Sequence, residues 1–294
     1  MSMNVVITGA TSGIGLQIAK HFVQVPDNTV YICGRDEKKL GQTRIELSKV
    51  AKGSEIELVK FDLSDIGSTL MSAIELRART GKVDLLFNNA GVMAPPVRLL
   101  SPQGFEVQFA TNHLGHFVLT AALIDLVSEA KGRVITISSI AAKRGKIDFD
   151  NLNGERSYSP WESYSQSKLA NLLFSIELDR RLREANSEAV SLSAHPGFAS
   201  TSLTTTGQKM ANARAMIPKF IEVLVAQSAK KGALPAIEAS QIKCDSWLFL
   251  GPRGPFEMRG RPTKVEAPAL ALDEEVARRL WQVSEELTET KFEI

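Results

Sequence analysis

The sequence predicts an open α/β structure, a mostly parallel sheet wound with helices on both faces. Three observations carry this. Short apolar runs alternate with longer helical ones along the chain, as strand–helix–strand units do. Two of the runs, Leu85-Leu86-Phe87 and Val134-Ile135-Thr136-Ile137, are apolar at every or nearly every position, as strands covered on both sides should be. The first run ends in a glycine-rich turn that leads straight into a helical pattern, Thr8-Gly9-Ala10-Thr11-Ser12-Gly13-Ile14-Gly15.

Strands are expected over residues 4–8, 29–33, 55–60, 83–88, 132–138 and 189–194, with a seventh over 246–250. Helices fit 14–25, 38–50, 68–79, 102–127, 158–183 and 273–288. Leu272, Val276, Leu280 and Val283 form an apolar stripe on the last helix, which reads as a packing face. No internal repeat or low-complexity linker divides the chain, so 1–294 reads as one domain. Around 200–243 the pattern loosens, and Met210, Met216, Ile217 and Phe220 suit either a flap over an apolar pocket or a peripheral helix.

With 44% hydrophobic residues the chain has material for a large core. Thirty-five basic and 33 acidic residues leave a net charge of +2, which gives no footprint for nucleic acid or a polyanion. The groups Lys143-Arg144 with Lys146, and Arg180-Arg181 with Arg183, read as solvated surface. Two cysteines, Cys33 and Cys244, are too few for a secreted disulfide framework. No stretch of about 18 apolar residues is present, so no transmembrane anchor is expected. A cytoplasmic protein is the expectation.

The chemistry lies at the ends of the strands. In the first turn, glycines let backbone approach a pyrophosphate, and the following helix offers free N–H groups and a positive dipole end. The second strand ends Cys33-Gly34-Arg35-Asp36. A carboxylate there holds a ribose 2′-hydroxyl, whereas a guanidinium suits a 2′-phosphate. Arg35 therefore favours NADP(H), and Asp36 keeps NAD open. Asp62-Leu63 follows the third strand and Asn89-Ala90-Gly91 the fourth, where open sheets bind ligands. Tyr164 and Lys168 stand four apart on one helix face, downstream of Ser138-Ser139. A phenol near an ammonium is expected to titrate lower than usual and to exchange a proton with a substrate oxygen. His113, His116 and His195 lack the carboxylate or cysteine partners of a metal site, so none is expected. Trp161 and Phe198 suit either a substrate pocket or ordinary packing.

Taken in order, Thr8 to Gly15, Asn88 to Gly91, Asn112, Ser138-Ser139, Tyr164 to Lys168 and Pro196-Gly197 resemble the short-chain dehydrogenase/reductase family over nearly the whole chain. The resemblance implies a Rossmann-like fold and a catalytic tetrad of Asn112, Ser139, Tyr164 and Lys168. It implies that Lys168 and Tyr164 also hold the cofactor's nicotinamide ribose. Asn112 would kink its helix and place a proton-relay water. Gly9, Thr11, Ser12, Gly13, Ile14, Gly15, Arg35, Asp62, Leu63, Asn89, Ala90, Gly91, Pro196, Gly197 and Thr201 are the implied cofactor contacts. Finer runs, among them 111–117 and Ala194-His195-Pro196-Gly197, look like the retinol dehydrogenase branch, which is also similar to WW-domain-containing oxidoreductase and protochlorophyllide reductase. That branch favours NADP(H) and bulky apolar carbonyls or alcohols. Both a monomer and a homo-oligomer built on helices 102–127 and 158–183 are compatible with it. The rival readings are an NAD-dependent alcohol dehydrogenase of the same fold, and a regulatory protein that senses NADP(H) without turnover.

Overall fold

The computed structural model of the chain describes residues 2–198 and 227–294. Among these, eight strands form one sheet: β1 (Asn4–Thr8), β2 (Thr29–Gly34), β3 (Glu55–Lys60), β4 (Leu85–Asn88), β5 (Arg133–Ile137), β6 (Val190–Ala194), β7 (Phe249–Pro252) and β8 (Pro262–Lys264). Their spatial order is β3-β2-β1-β4-β5-β6-β7-β8. All pairs are parallel through β7, and β8 adds antiparallel. The expected parallel strands are therefore present, with β7 starting three residues later than the pattern suggests. The eighth strand is too short, and begins on a proline too near the sheet edge, to leave a period-2 signal.

The order reverses between β1 and β4, which opens a crevice at the carboxyl ends of the strands. Alternation along each strand feeds two cores. Val5, Ile7, Val30 and Ile32 face one side, where they meet Ile18 and Phe22 of α1 (Gly13–Phe22) and Leu40 and Leu47 of α2 (Glu37–Ser48). Val6, Tyr31 and Cys33 face the other, towards Leu76 of α3 (Ile66–Arg79), Phe117 of α5 (Gly115–Glu129) and Phe174 of α6 (Pro160–Glu184). Burying each such large side chain contributes roughly 1.5–3 kcal/mol. Cys33 is a core residue, with its thiol pushed up to about 12 by burial.

The helix expected over 102–127 begins at Val107. Gly104 turns the chain at φ +84, and the Glu106 carboxylate accepts from the Gln108 and Phe109 N–H groups, which sets the helix start. One α-turn, α4 (Val107–Phe109), opens into a wider π-helical stretch at Ala110–Leu114 before α5 continues. Helix α6 starts at Pro160, whose missing N–H is tolerated in a first turn. The C-terminal helix, Glu274–Thr288, buries Ala277, Leu280, Trp281, Ser284 and Thr288. Its packing face is thus rotated from the expected stripe, and Leu272 is exposed ahead of the helix.

Of the flap expected around 200–243, positions up to 226 lie outside the described residues, and so does Thr201. Leu234–Gln241 forms a helix that buries Pro235, Ala236 and Ala239 against the face carrying Ile135 and Leu192. No helix among the described residues is long and apolar enough to cross a membrane.

Candidate active site

A cavity of about 330 Å³ runs along the carboxyl ends of the strands, from Arg35 and Asp62 at one end to Tyr164, Lys168 and Pro196 at the other. The turn after β1 forms its floor. Gly9 and Gly13 sit at φ +66 and +56, a region open to glycine at no steric cost. The Ser12 side chain does not cap α1, and the first turn of α1 carries no acidic residue. Gly13, Ile14 and Gly15 line the cavity, so the positive end of α1 faces it. A Cβ on Gly15 would lie 2.4 Å from the Gly9 carbonyl oxygen and 2.5 Å from Asn89 Nδ2, which is why this turn packs only with glycine.

The Thr8 hydroxyl ties this turn to the end of β4. It accepts from the Asn89 N–H (2.8 Å) and the Ala90 N–H (2.9 Å), and Asn89 Nδ2 donates to the Thr8 carbonyl at 2.7 Å. Ala90 and Gly91 then border the cavity. Thr8 also lies 2.8 Å from His116 Nε2, whose Nδ1 bonds the Asn112 carbonyl at 2.9 Å. His116 and His113 are both pushed down to about 3, by burial above all, and each ring has protein partners. Among the described residues no group of three or more His, Cys, Asp or Glu is placed to hold a metal.

At the other wall, Arg35 and Asp62 face each other across 3.9 Å. Asp62 Oδ1 is already engaged by the Ser64 N–H and hydroxyl. The Asp36 carboxylate caps α2 by accepting from the Lys39 N–H, which holds it below the usual carboxylate range. Lys39 lines the same end of the cavity as Arg35. Lys39 is not among the contacts the resemblance implies, although a cation three residues after a helix-capping aspartate sits on the first turn of α2. Leu63 closes the floor, with its carbonyl packed on Gly115.

Tyr164 and Lys168 lie one turn apart on α6, both buried and both opening into the cavity. Lys168 Nζ donates to the Ile137 carbonyl at 3.0 Å, and burial pulls it down to about 8. The expected lowering of the tyrosine is not what the structure shows. Burial pushes Tyr164 up to about 12, and only the Ser139 hydroxyl beside it pulls the other way. The two serines part company here. Ser138 donates to the Lys168 carbonyl at 2.7 Å and anchors the helix to β5, while Ser139 is left beside the phenol.

Asn112 sits in the π-helical stretch. Its Oδ1 accepts from the Val92 N–H at 2.8 Å, and its Nδ2 donates to the Val92 carbonyl and the Ser167 hydroxyl. It thereby clamps the loop after β4 to α6. Pro196 borders the cavity, and Gly197 beside it turns at φ +66. Trp161 is half exposed, one turn before Tyr164, with its ring edge-on to the phenol at 6.2 Å.

Residues 3–212 match a family profile described as short chain dehydrogenase. Human retinol dehydrogenase 14 is 35% identical over 294 residues, spanning 96% of this chain and 84% of that protein. A crystal structure of an uncharacterised protein from Mycobacterium paratuberculosis is 37% identical, covers 99% of this chain and 95% of its own, and superposes with a TM-score of 0.80. A short-chain dehydrogenase from Sphingobium yanoikuyae in complex with NADPH shares the fold at 21% identity and a TM-score of 0.58, over 80% of this chain and 82% of that one.

Proposed function

This chain belongs to the short-chain dehydrogenase/reductase family and is an oxidoreductase acting on CH–OH and C=O groups; from that premise we propose that it moves a hydride between NADP(H) and a bulky apolar carbonyl or alcohol. The observation that carries the reading is the placement of Tyr164 and Lys168 in the same cavity as the Gly9–Gly15 turn.

The cleft suits the dinucleotide. The amino end of α1, with Thr11 and Ser12 ahead of it, would take the pyrophosphate. Asp62 and Leu63 would take the adenine, and Asn89, Ala90 and Gly91 the ribose beyond it. Arg35 and Lys39, cations at this end of the cavity, favour a 2′-phosphate, and the Asp36 carboxylate is turned onto the Lys39 N–H at the start of α2. Pro196 and Gly197 would border the nicotinamide.

When bound, the reduced cofactor supplies the hydride for the carbonyl carbon. The chain's own work is to deliver the proton and hold the oxygen. Tyr164, kept protonated by burial, gives its phenolic proton to the oxygen as negative charge develops there. Ser139 orients that oxygen by a hydrogen bond. Lys168, one turn along α6 and opening into the same cavity, would hold the ribose. Asn112 fixes the loop after β4 from within the π-helical stretch, and would position a relay water there. Trp161, half exposed and edge-on to the Tyr164 ring, offers an apolar face beside the phenol, which fits the retinol dehydrogenase name of the human relative. A cytoplasmic location belongs to the same reading, with Cys33 and Cys244 both unpaired.

Calorimetric titration with NADPH and NADH tests this. NADPH should bind at least about tenfold tighter, a difference of about 1.4 kcal/mol. Tighter NADH would overturn the cofactor assignment, and binding of neither would overturn the reading as a whole.

A further inference from the structure

Three loops that follow three neighbouring strands meet beside the Pro196 end of the cavity. Lys143 lies in the turn after β5, just beyond Ser139. Its Nζ is 2.5 Å from Glu257 Oε1, in the loop after β7. Glu257 Oε2 is 3.0 Å from His195 Nε2, at the end of β6. His195 Nδ1 in turn accepts from the Gly197 N–H at 3.2 Å.

This last bond fixes the chemistry of the chain. A nitrogen that accepts carries no hydrogen, so the imidazole hydrogen sits on Nε2 and is donated to Glu257. The ring has no freedom to turn. It is fully buried, lies 5.1 Å from the Phe249 ring, and presses so closely on β7 that a Cβ on Gly251 would fall 2.0 Å from Nε2. The loop that delivers Glu257 is strained. Phe256 and Glu257 both take left-handed backbone conformations, at φ +52 and +56, which ordinary residues keep only where their surroundings impose them. The Glu257 carboxylate is held below its usual range by His195 first and by Lys143 as well, so it stays charged.

We propose that Glu257 is a positioning residue for the nicotinamide end of the cleft, acting through His195 on the Pro196–Gly197 backbone and through Lys143 on the turn that carries Ser139. The proposal rests on the dinucleotide reading above. Glu257 does not line the cavity; it holds the two segments next to Ser138 and Pro196, which do, so its influence should reach one end of the cofactor and not the other.

Full-length protein, as wild type, Glu257→Ala, Glu257→Gln and Lys143→Met, would be titrated calorimetrically with NADPH and with adenosine 2′,5′-bisphosphate, which lacks the nicotinamide half. Melting curves would be recorded alongside. Glu257→Ala should weaken NADPH by about tenfold or more, as loss of a charge-assisted bond implies, and leave the bisphosphate within about twofold. Glu257→Gln keeps an oxygen for the His195 Nε2–H and should restore most of the NADPH affinity. Lys143→Met, which leaves the histidine bond intact, should weaken NADPH by less and covers the case of a poorly folded alanine variant. Equal weakening of both ligands, or of neither, would overturn the proposal. A wild-type protein that binds neither ligand would overturn the cofactor reading itself, and the proposal with it.

Discussion

The Lys168 ammonium donates to the Ile137 carbonyl at 3.0 Å, inside the protein and at the carboxyl end of β5. Asn171 Nδ2 donates to the same oxygen at 3.1 Å, so that carbonyl would stay satisfied without the lysine. The buried charge is therefore kept at the expense of stability. Below about pH 8 the amine is charged in both folded and unfolded chains, and the burial penalty is complete. From about 8 towards 10.5 the folded chain loses the proton first, so stability rises with pH. The penalty is of the order of 3 kcal/mol. Lys168→Met should thus raise the melting temperature at pH 7 while abolishing turnover. A lower melting temperature would show that the ammonium is stabilising.

The same group sets the pH dependence of reduction. The phenol, at about 12, stays protonated across the neutral range, whereas Lys168, at about 8, does not. kcat/KM for carbonyl reduction, which reports the free enzyme, should be flat through neutrality and fall above about pH 8. Lys168→Arg, if active, should extend the plateau. A profile that rises through neutrality would contradict the assignment of Tyr164 as a proton donor.

Arg35 and Lys39 act on one ligand group. Arg35→Asp should weaken NADPH by about 10- to 150-fold, the value of a charge-assisted bond, and leave NADH unchanged or improved. Lys39→Ala should weaken NADPH by about threefold, within the range of an exposed charge. Added salt should shrink both effects. Titration of each variant with both nucleotides reads this directly.

Gly15 is the steric test of the turn. A methyl there meets the Gly9 carbonyl at 2.4 Å and Asn89 Nδ2 at 2.5 Å, neither of which can yield without opening the turn. Gly15→Ala should lower stability by about 1–3 kcal/mol and remove NADPH binding. Chemical denaturation and titration of the variant check the two halves separately.

Much of this was legible in the sequence, because the features concerned are local. The limits of β1 follow from its apolar run and those of β3 from its alternation, and the Gly9–Gly15 turn announces its helix. The helix start at Val107 did not, since it depends on the Glu106 side chain folding back onto its own N–H groups. Nor did the Tyr164 phenol. Spacing placed an ammonium near it, but depth in the protein, which spacing does not encode, decided the direction of its titration. The Lys143–Glu257–His195 chain joins residues 114 and 62 positions apart and has no sequence signature. The resemblance favours Ser139 over Ser138, and the bond from Ser138 to the Lys168 carbonyl, which ties β5 to α6, has no signature in the sequence.

The most direct measurement is NADPH consumption with apolar aldehydes by wild type and Tyr164→Phe, with NADPH affinity measured on both. Phenylalanine keeps the ring and deletes only the hydroxyl. The account predicts wild-type turnover, and a loss of about 10²- to 10⁴-fold in the variant, as removal of a general acid implies, with affinity little changed. Near-normal turnover in Tyr164→Phe would contradict it, and a wild type that binds NADPH but reduces nothing would mark a sensor rather than a reductase.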